Sequence, residues 1–136
     1  MKTFQLLFIL IITAGIGFSC NTQRAEKQNK ETLVKSGDVD VYYFHYSRRC
    51  VTCVSVQEVS KNAVREIYGD KVKFHEYNLD DSEGKAMMEK VGAPGQALMI
   101  VNGQNKINIT NEGFLYARSN PEKLKQIVKE KIDPLL

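Results

Sequence analysis

The chain has 136 residues, room for one domain and little else. Apolar residues make up 43% and charged residues 26%, with nine glycines and three prolines, which excludes collagen-like and wholly disordered chains. The 19 basic and 16 acidic residues leave a net charge of only +3, too small and too scattered for a nucleic-acid footprint; two histidines and three cysteines are too few for a multi-ligand metal cage or a disulfide-stapled miniprotein.

The chain opens with the three-part layout of an export signal, residues 1–19: Lys2 gives a positive start, Leu6 to Ile12 is an unbroken apolar run, and small residues follow up to Cys20. The apolar stretch from Phe4 to Phe18 is shorter than the roughly 18–20 residues a membrane-crossing helix needs. Gly17-Phe18-Ser19-Cys20 resembles a bacterial lipoprotein processing site, with Cys20 the lipidated first residue of the mature chain. Ordinary signal cleavage after Ser19 is the competing reading. Lipidation at Cys20 also settles the parity of the thiols, because it leaves Cys50 and Cys53 as a pair. Residues 20–37 are polar, with Leu33 and Val34 the only large apolar side chains, and read as a solvated tether. Residues 38–136 remain for a single core.

Val39 to His45 (VDVYYFH) reads as a strand, rich in β-branched and aromatic residues. From about Cys50 to Tyr68 there is no Gly or Pro, and Val56, Val59, Ala63 and Ile67 recur at helical spacing. Lys71 to Leu79 reads as a second strand, and Asp81-Ser82 cap a short helix through Met87, Met88 and Val91. After the Gly92-Ala93-Pro94-Gly95 turn, the continuous apolar run Ala97 to Val101 reads as a strand buried on both faces. Asn102-Gly103 signals a hairpin into a fourth strand near Lys106 to Thr110, and Asn111-Glu112-Gly113 reads as another turn. Asn120 and Pro121 open a last helix whose apolar stripe is Leu124, Ile127, Val128, Ile132 and Leu135. The order β-α-β-α-β-β-α, with parallel strands and crossover helices first and an antiparallel hairpin later, predicts a three-layer α/β domain with a four-stranded mixed sheet.

Cys50-Val51-Thr52-Cys53 follows a predicted strand and opens a predicted helix. A thiol there faces unpaired backbone N–H groups and the positive end of the helix dipole, which favours the thiolate. Two intervening residues in one turn bring the second sulfur within reach of the first. Arg48 and Arg49 precede Cys50, and a nearby cation favours the charged form of the sulfur. A thiol with a pKa of about 8.5 is roughly 3% ionised at pH 7; a drop of about two units makes it mostly thiolate. These features assign Cys50 as the attacking sulfur and Cys53 as the resolving one. A zinc or copper half-site with His45 as third ligand, and an inert structural disulfide, are the alternatives, though a second ligand pair is absent.

Other candidates are weighed against plainer roles. His45 stands five residues before Cys50 and could shuttle protons, or simply end a strand at the sheet edge. Of His75 and Glu76, which alternate on the second strand, one must point to a covered face. Glu76 could accept a proton from Cys53, or be solvated. Met87, Met88 and Met99 read as core filling. Asn108-Ile109-Thr110 matches a glycosylation sequon but lies in a predicted strand behind a bacterial-type signal.

At VYYFHYSRRCVTC the chain resembles thioredoxin-fold proteins, and together with ALMIVNG this segment is similar to small exported bacterial thioredoxin-like proteins of the nitrophenyl compound nitroreductase subunit ArsF family. The sequence carries no flavin- or nicotinamide-binding fingerprint, and no cofactor or metal is expected. It departs from thioredoxins in four places. Val51-Thr52 stand between the cysteines in place of Gly-Pro. Arg49 replaces the preceding tryptophan. Phe44 sits six residues before Cys50, where thioredoxins keep a buried acid. Gln96 takes the place of the cis-proline before the third strand, with Pro94 two residues earlier. Either that turn bulges so that Pro94 still packs near Cys50, or the cis-proline is lost; Pro94 and Gln96 are the expected cleft residues in both cases. The resemblance implies a monomeric thiol–disulfide oxidoreductase of the bacterial cell envelope. Cys20 would tether it to a membrane outside the cytoplasm, and it would act on a partner protein's thiol or disulfide. The rival reading is a non-catalytic accessory module that keeps the fold and holds a partner or a metal.

Overall fold

The computed structural model describes residues 37–136; the expected export signal, Cys20 and the expected tether up to residue 36 lie outside the described residues. Four strands form one sheet in the order β2-β1-β3-β4, with β1 spanning Val39–His45, β2 Val72–Asn78, β3 Ala97–Asn102 and β4 Asn105–Asn108. Helix α1 (Val51–Tyr68) follows β1, α2 (Ser82–Val91) follows β2, and α3 (Thr110–Tyr116) and α4 (Pro121–Ile132) close the chain. The domain is thioredoxin-like: a mixed sheet between helical layers, in the predicted order with one helix more.

Strand β1 is central because its sequence is apolar on both faces. Val39, Val41 and Tyr43 face one layer; Tyr42 and Phe44 face the other. The first face meets Val56, Ala63 and Val64 of α1 and Leu124, Val128 and Ile132 of α4. The second meets Val91 of α2, with Met87 and Met88 packed at its margin. Each fully buried Val, Leu or Ile side chain contributes roughly 1.5–3 kcal/mol, so these two clusters account for most of the drive to fold. β1 runs parallel to β2, with Val39 opposite Val72, and antiparallel to β3, with Val39 opposite Asn102. The parallel crossover pattern expected of the first half therefore holds for β1 and β2 only: β3 enters reversed, and β4 pairs antiparallel with it through the Gly103-Gln104 turn.

Three local readings are corrected. The apolar face of α1 is rotated: its buried residues are Cys53, Val56, Ser60, Ala63, Val64 and Tyr68, while Ile67 is exposed. The fourth strand stops at Asn108, and the presumed turn at Asn111-Glu112-Gly113 lies inside α3. Gly113 is there because the helix packs closely. A Cβ on it would lie 3.2 Å from Val56 Cγ1 and 3.4 Å from Leu98 Cδ2. The Asn108 side chain accepts from Thr110 N (3.0 Å) and turns the chain into α3, so the sequon asparagine already has a structural task. In α4, Pro121 occupies the first turn and the Asn120 side chain accepts from Lys123 N at 3.1 Å, as predicted.

Candidate active site

The site lies where β1 ends and α1 begins. His45 closes the strand, Tyr46 to Arg49 form an exposed loop, and Cys50 is the N-cap residue of α1, with extended backbone (φ −81°, ψ 165°). Leu79 N donates to His45 O (2.7 Å), Ser47 N donates to Asp80 Oδ2 (2.8 Å), and Asn78 Nδ2 donates to Ser47 Oγ (2.8 Å). The loop before the cysteines is thus pinned to the exit of β2. The Ser47 backbone and side chain hold the Asp80 carboxyl below its usual range.

Cys50 is exposed and Cys53, one turn later, is buried at 8% exposure. Their sulfurs stand 2.8 Å apart, and both cysteines are free thiols. Because a bonded pair lies at about 2.03–2.05 Å, closure needs well under an ångström of movement along that line. The Cys50 sulfur serves as the helix cap and accepts from Cys53 N at 3.4 Å. Hydrogen bonding from Cys53, first through its thiol and then through its N–H, pulls the Cys50 thiol below its ordinary value.

The remaining expected residues fall around this pair in different ways. Arg48 and Arg49 are exposed, and the Arg49 guanidinium donates to Gln57 Oε1 on α1. The helix turn, rather than the arginines, heads the causes of the Cys50 shift. The His45 ring donates through Nδ1 to Tyr46 O (3.0 Å), tilts against the Tyr43 ring (5.8 Å between centroids) and borders a cleft of about 280 Å³ with Tyr77, Asn78, Asp81 and Glu83. Among the described residues no three His, Cys, Asp or Glu side chains gather as a metal cage. Pro94 is exposed, and no peptide bond among the described residues is cis. Of the two sequence alternatives for the turn before β3, loss of the cis-proline is the one found. Gln96 is half-buried, and its Nε2 donates to Tyr43 Oη (3.4 Å). Glu76 pairs with Lys61 (2.9 Å), away from Cys53. His75 pairs with buried Asp40 (2.8 Å) beneath the Tyr42 ring. Phe44 lies on the sheet face opposite α1, among Tyr42, Leu79 and Met99.

Tyr43 was not singled out from the sequence. It is fully buried, and its hydroxyl donates to Cys53 O at 2.9 Å. Burial chiefly raises its pKa, with smaller influences from Gln96, both cysteines and Arg49. Strand parity was the available signal: Tyr43 shares the face of Val41 two residues before the strand ends, so its polar tip must lie under the first turn of α1.

No protein-family model matches the chain, and no curated protein matches it. Among solved structures it is similar to thioredoxin O2 from Arabidopsis thaliana in its oxidised state, with a TM-score of 0.50 and 17% identity over 69% of this chain and 75% of that one. A structure described as a malarial protein aligns with a TM-score of 0.44 at 18% identity, over 68% of this chain and 94% of that one. At these identities the likeness to thioredoxin O2 is one of fold.

Proposed function

We propose that the domain is a thiol–disulfide oxidoreductase working through Cys50 and Cys53. One observation carries this reading: an exposed sulfur caps a helix, and a second sulfur, shielded one turn further in, stands 2.8 Å away. In the reducing direction, the Cys50 thiolate attacks one sulfur of a partner disulfide. A Cys50–partner bond forms, and the other partner sulfur leaves as a thiolate. Cys53 then gives up its proton and attacks Cys50 Sγ. The Cys50–Cys53 disulfide forms, and the second partner sulfur leaves and takes up a proton. Two electrons pass to the partner, and the reverse sequence oxidises it. The exposed side chains of Tyr46, Val51 and Val54, all within four residues of Cys50, offer apolar surface to a protein partner. Arg48 and Arg49 add positive charge to the same rim.

The leader and Cys20 support placing the protein in a bacterial cell envelope as a lipoprotein facing away from the cytoplasm. The similarity of VYYFHYSRRCVTC and ALMIVNG supports grouping it with the exported ArsF-type proteins. No helix among the described residues is long and apolar enough to cross a membrane.

The test is equilibration of the purified protein in glutathione buffers, followed by disulfide-reduction assays of the wild type and Cys50→Ser. Reversible formation of one intramolecular disulfide, and activity lost with Cys50, is expected. Equal inactivity of both proteins, with stoichiometric zinc or copper binding, would replace this reading with the accessory one. A Cys53→Ser variant is expected to accumulate a mixed disulfide through Cys50 whose other half names the partner. The mass of the mature N-terminus reports whether Cys20 is acylated.

A further inference from the structure

The hydrogen bonds around Tyr43 form a directed chain. Gln96, on the turn entering β3, donates to the Tyr43 hydroxyl (3.4 Å); that hydroxyl, on β1, donates to the Cys53 carbonyl in the first turn of α1 (2.9 Å). Three elements that converge on the sulfurs are thus joined through one buried oxygen. The first turn of a helix is otherwise weakly held, since its leading N–H groups have no partners within the helix. One of the two residues that make the tie, Gln96, stands where the sequence departs from the thioredoxin pattern by lacking the proline before β3.

We infer that Tyr43, supported by Gln96, is a positioning residue for the resolving cysteine: it holds the Cys53 backbone so that its sulfur stays in ring-closing posture against Cys50. This inference rests on the oxidoreductase reading. Tyr43 exchanges no electron and forms no bond to sulfur. It lessens the freedom the dithiol must lose when the disulfide closes, so the closed form is favoured. Its phenol stays protonated across the working range because burial raises its pKa, so the tie is retained throughout.

The experiment is equilibrium titration of the full chain with reduced and oxidised glutathione, by the reaction dithiol + GSSG → intramolecular disulfide + 2 GSH, read by mass after acid trapping. Tyr43→Phe keeps the ring and removes the tie. It is expected to lower the ring-closure constant by about three- to tenfold, the worth of one ordinary hydrogen bond; tenfold is about 30 mV towards a more oxidising couple. Gln96→Glu, at a half-buried position, serves as the second variant. Its carboxylate accepts the tyrosine proton and draws it away from the Cys53 carbonyl, so the same direction of change is expected even if Tyr43→Phe does not fold. Melting of the oxidised and reduced forms closes a thermodynamic cycle. A positioning role makes the oxidised form lose more stability than the reduced form. A merely structural role lowers both equally and leaves the ring-closure constant within twofold of wild type, and that result overturns the inference. If the wild type itself closes no disulfide, the oxidoreductase reading fails first and this one with it; a wild type that cycles beside unaltered variants refutes the positioning role alone.

Discussion

Replacing Gly84 by alanine tests how closely α2 is held against the exit of β2. Gly84 is buried in the first turn of α2, and a Cβ there would lie 1.9 Å from Asn78 O and 2.6 Å from Asn78 C. Ordinary contact begins near 3.4 Å, so helix and strand end would have to separate by about 1.5 Å. The obstacle is backbone and cannot swing aside. Overpacking typically costs 1–3 kcal/mol, and this rigid case belongs near about 3. Alanine returns about 1 kcal/mol in helix propensity. The net expectation is a loss of about 2 kcal/mol, or a melting temperature lower by about 8–16 °C for a domain of this size. Calorimetry or urea denaturation of the purified protein measures it. Ala86→Gly, at an exposed site in the same helix, should cost about 1 kcal/mol and serves as control. If Gly84→Ala is as stable as wild type or more so, α2 does not approach Asn78 as described, and the pinning of the Ser47 loop through Asn78 and Asp80 loses its support.

Cys53→Ala removes the leading cause of the lowered Cys50 pKa, so the midpoint of Cys50 alkylation against pH should rise towards that of an ordinary thiol; an unchanged midpoint would assign the shift elsewhere. A thiol lowered by folding stabilises the reduced protein above its unfolded pKa, and this contribution is lost as pH falls through the folded value. The same sign holds for Asp80, whose carboxyl the Ser47 N–H and hydroxyl hold down: its contribution is complete above the unfolded carboxylate pKa and fades on acidification through the folded one. Asp80→Ala should therefore flatten the acid limb of the melting curve, and an unaltered limb would refute the tie. Ser60 is fully buried with its hydroxyl unpartnered, and Ser60→Ala should stabilise the protein by about 1–2 kcal/mol in urea denaturation; a loss of stability would show that the hydroxyl has a partner.

The elements most legible in the sequence were those whose reasons are local. Asn120 and Pro121 opened α4 as written, because a cap and a fixed φ need no distant partner. The opening turn of α1 also followed from neighbours alone, and so did the exposed and shielded arrangement of Cys50 and Cys53. Readings failed where a residue answered to something far along the chain. Gly113 looked like a turn but serves the approach of α3 to Val56 and Leu98. The stripe Val56, Val59, Ala63, Ile67 had the right period but the wrong rotation, because packing on β1 turns Ser60 and Val64 inward. Around the cysteines, Tyr43 and Gln96 are 53 residues apart and Ser47 and Asp80 are 33 apart. No spacing rule connects such pairs before the sheet order is known.

The direction of the central strand sets one last consequence. β1 leaves Val39 and delivers the chain six residues later at His45, beside the cysteine turn. At about 3.3 Å per residue the reactive end of β1 lies roughly 20 Å from the end at which that strand begins. The chain entering at Val39 and a partner meeting Cys50 therefore address opposite ends of the same central strand, so the approach to the sulfurs is not crowded by the segment that leads into β1.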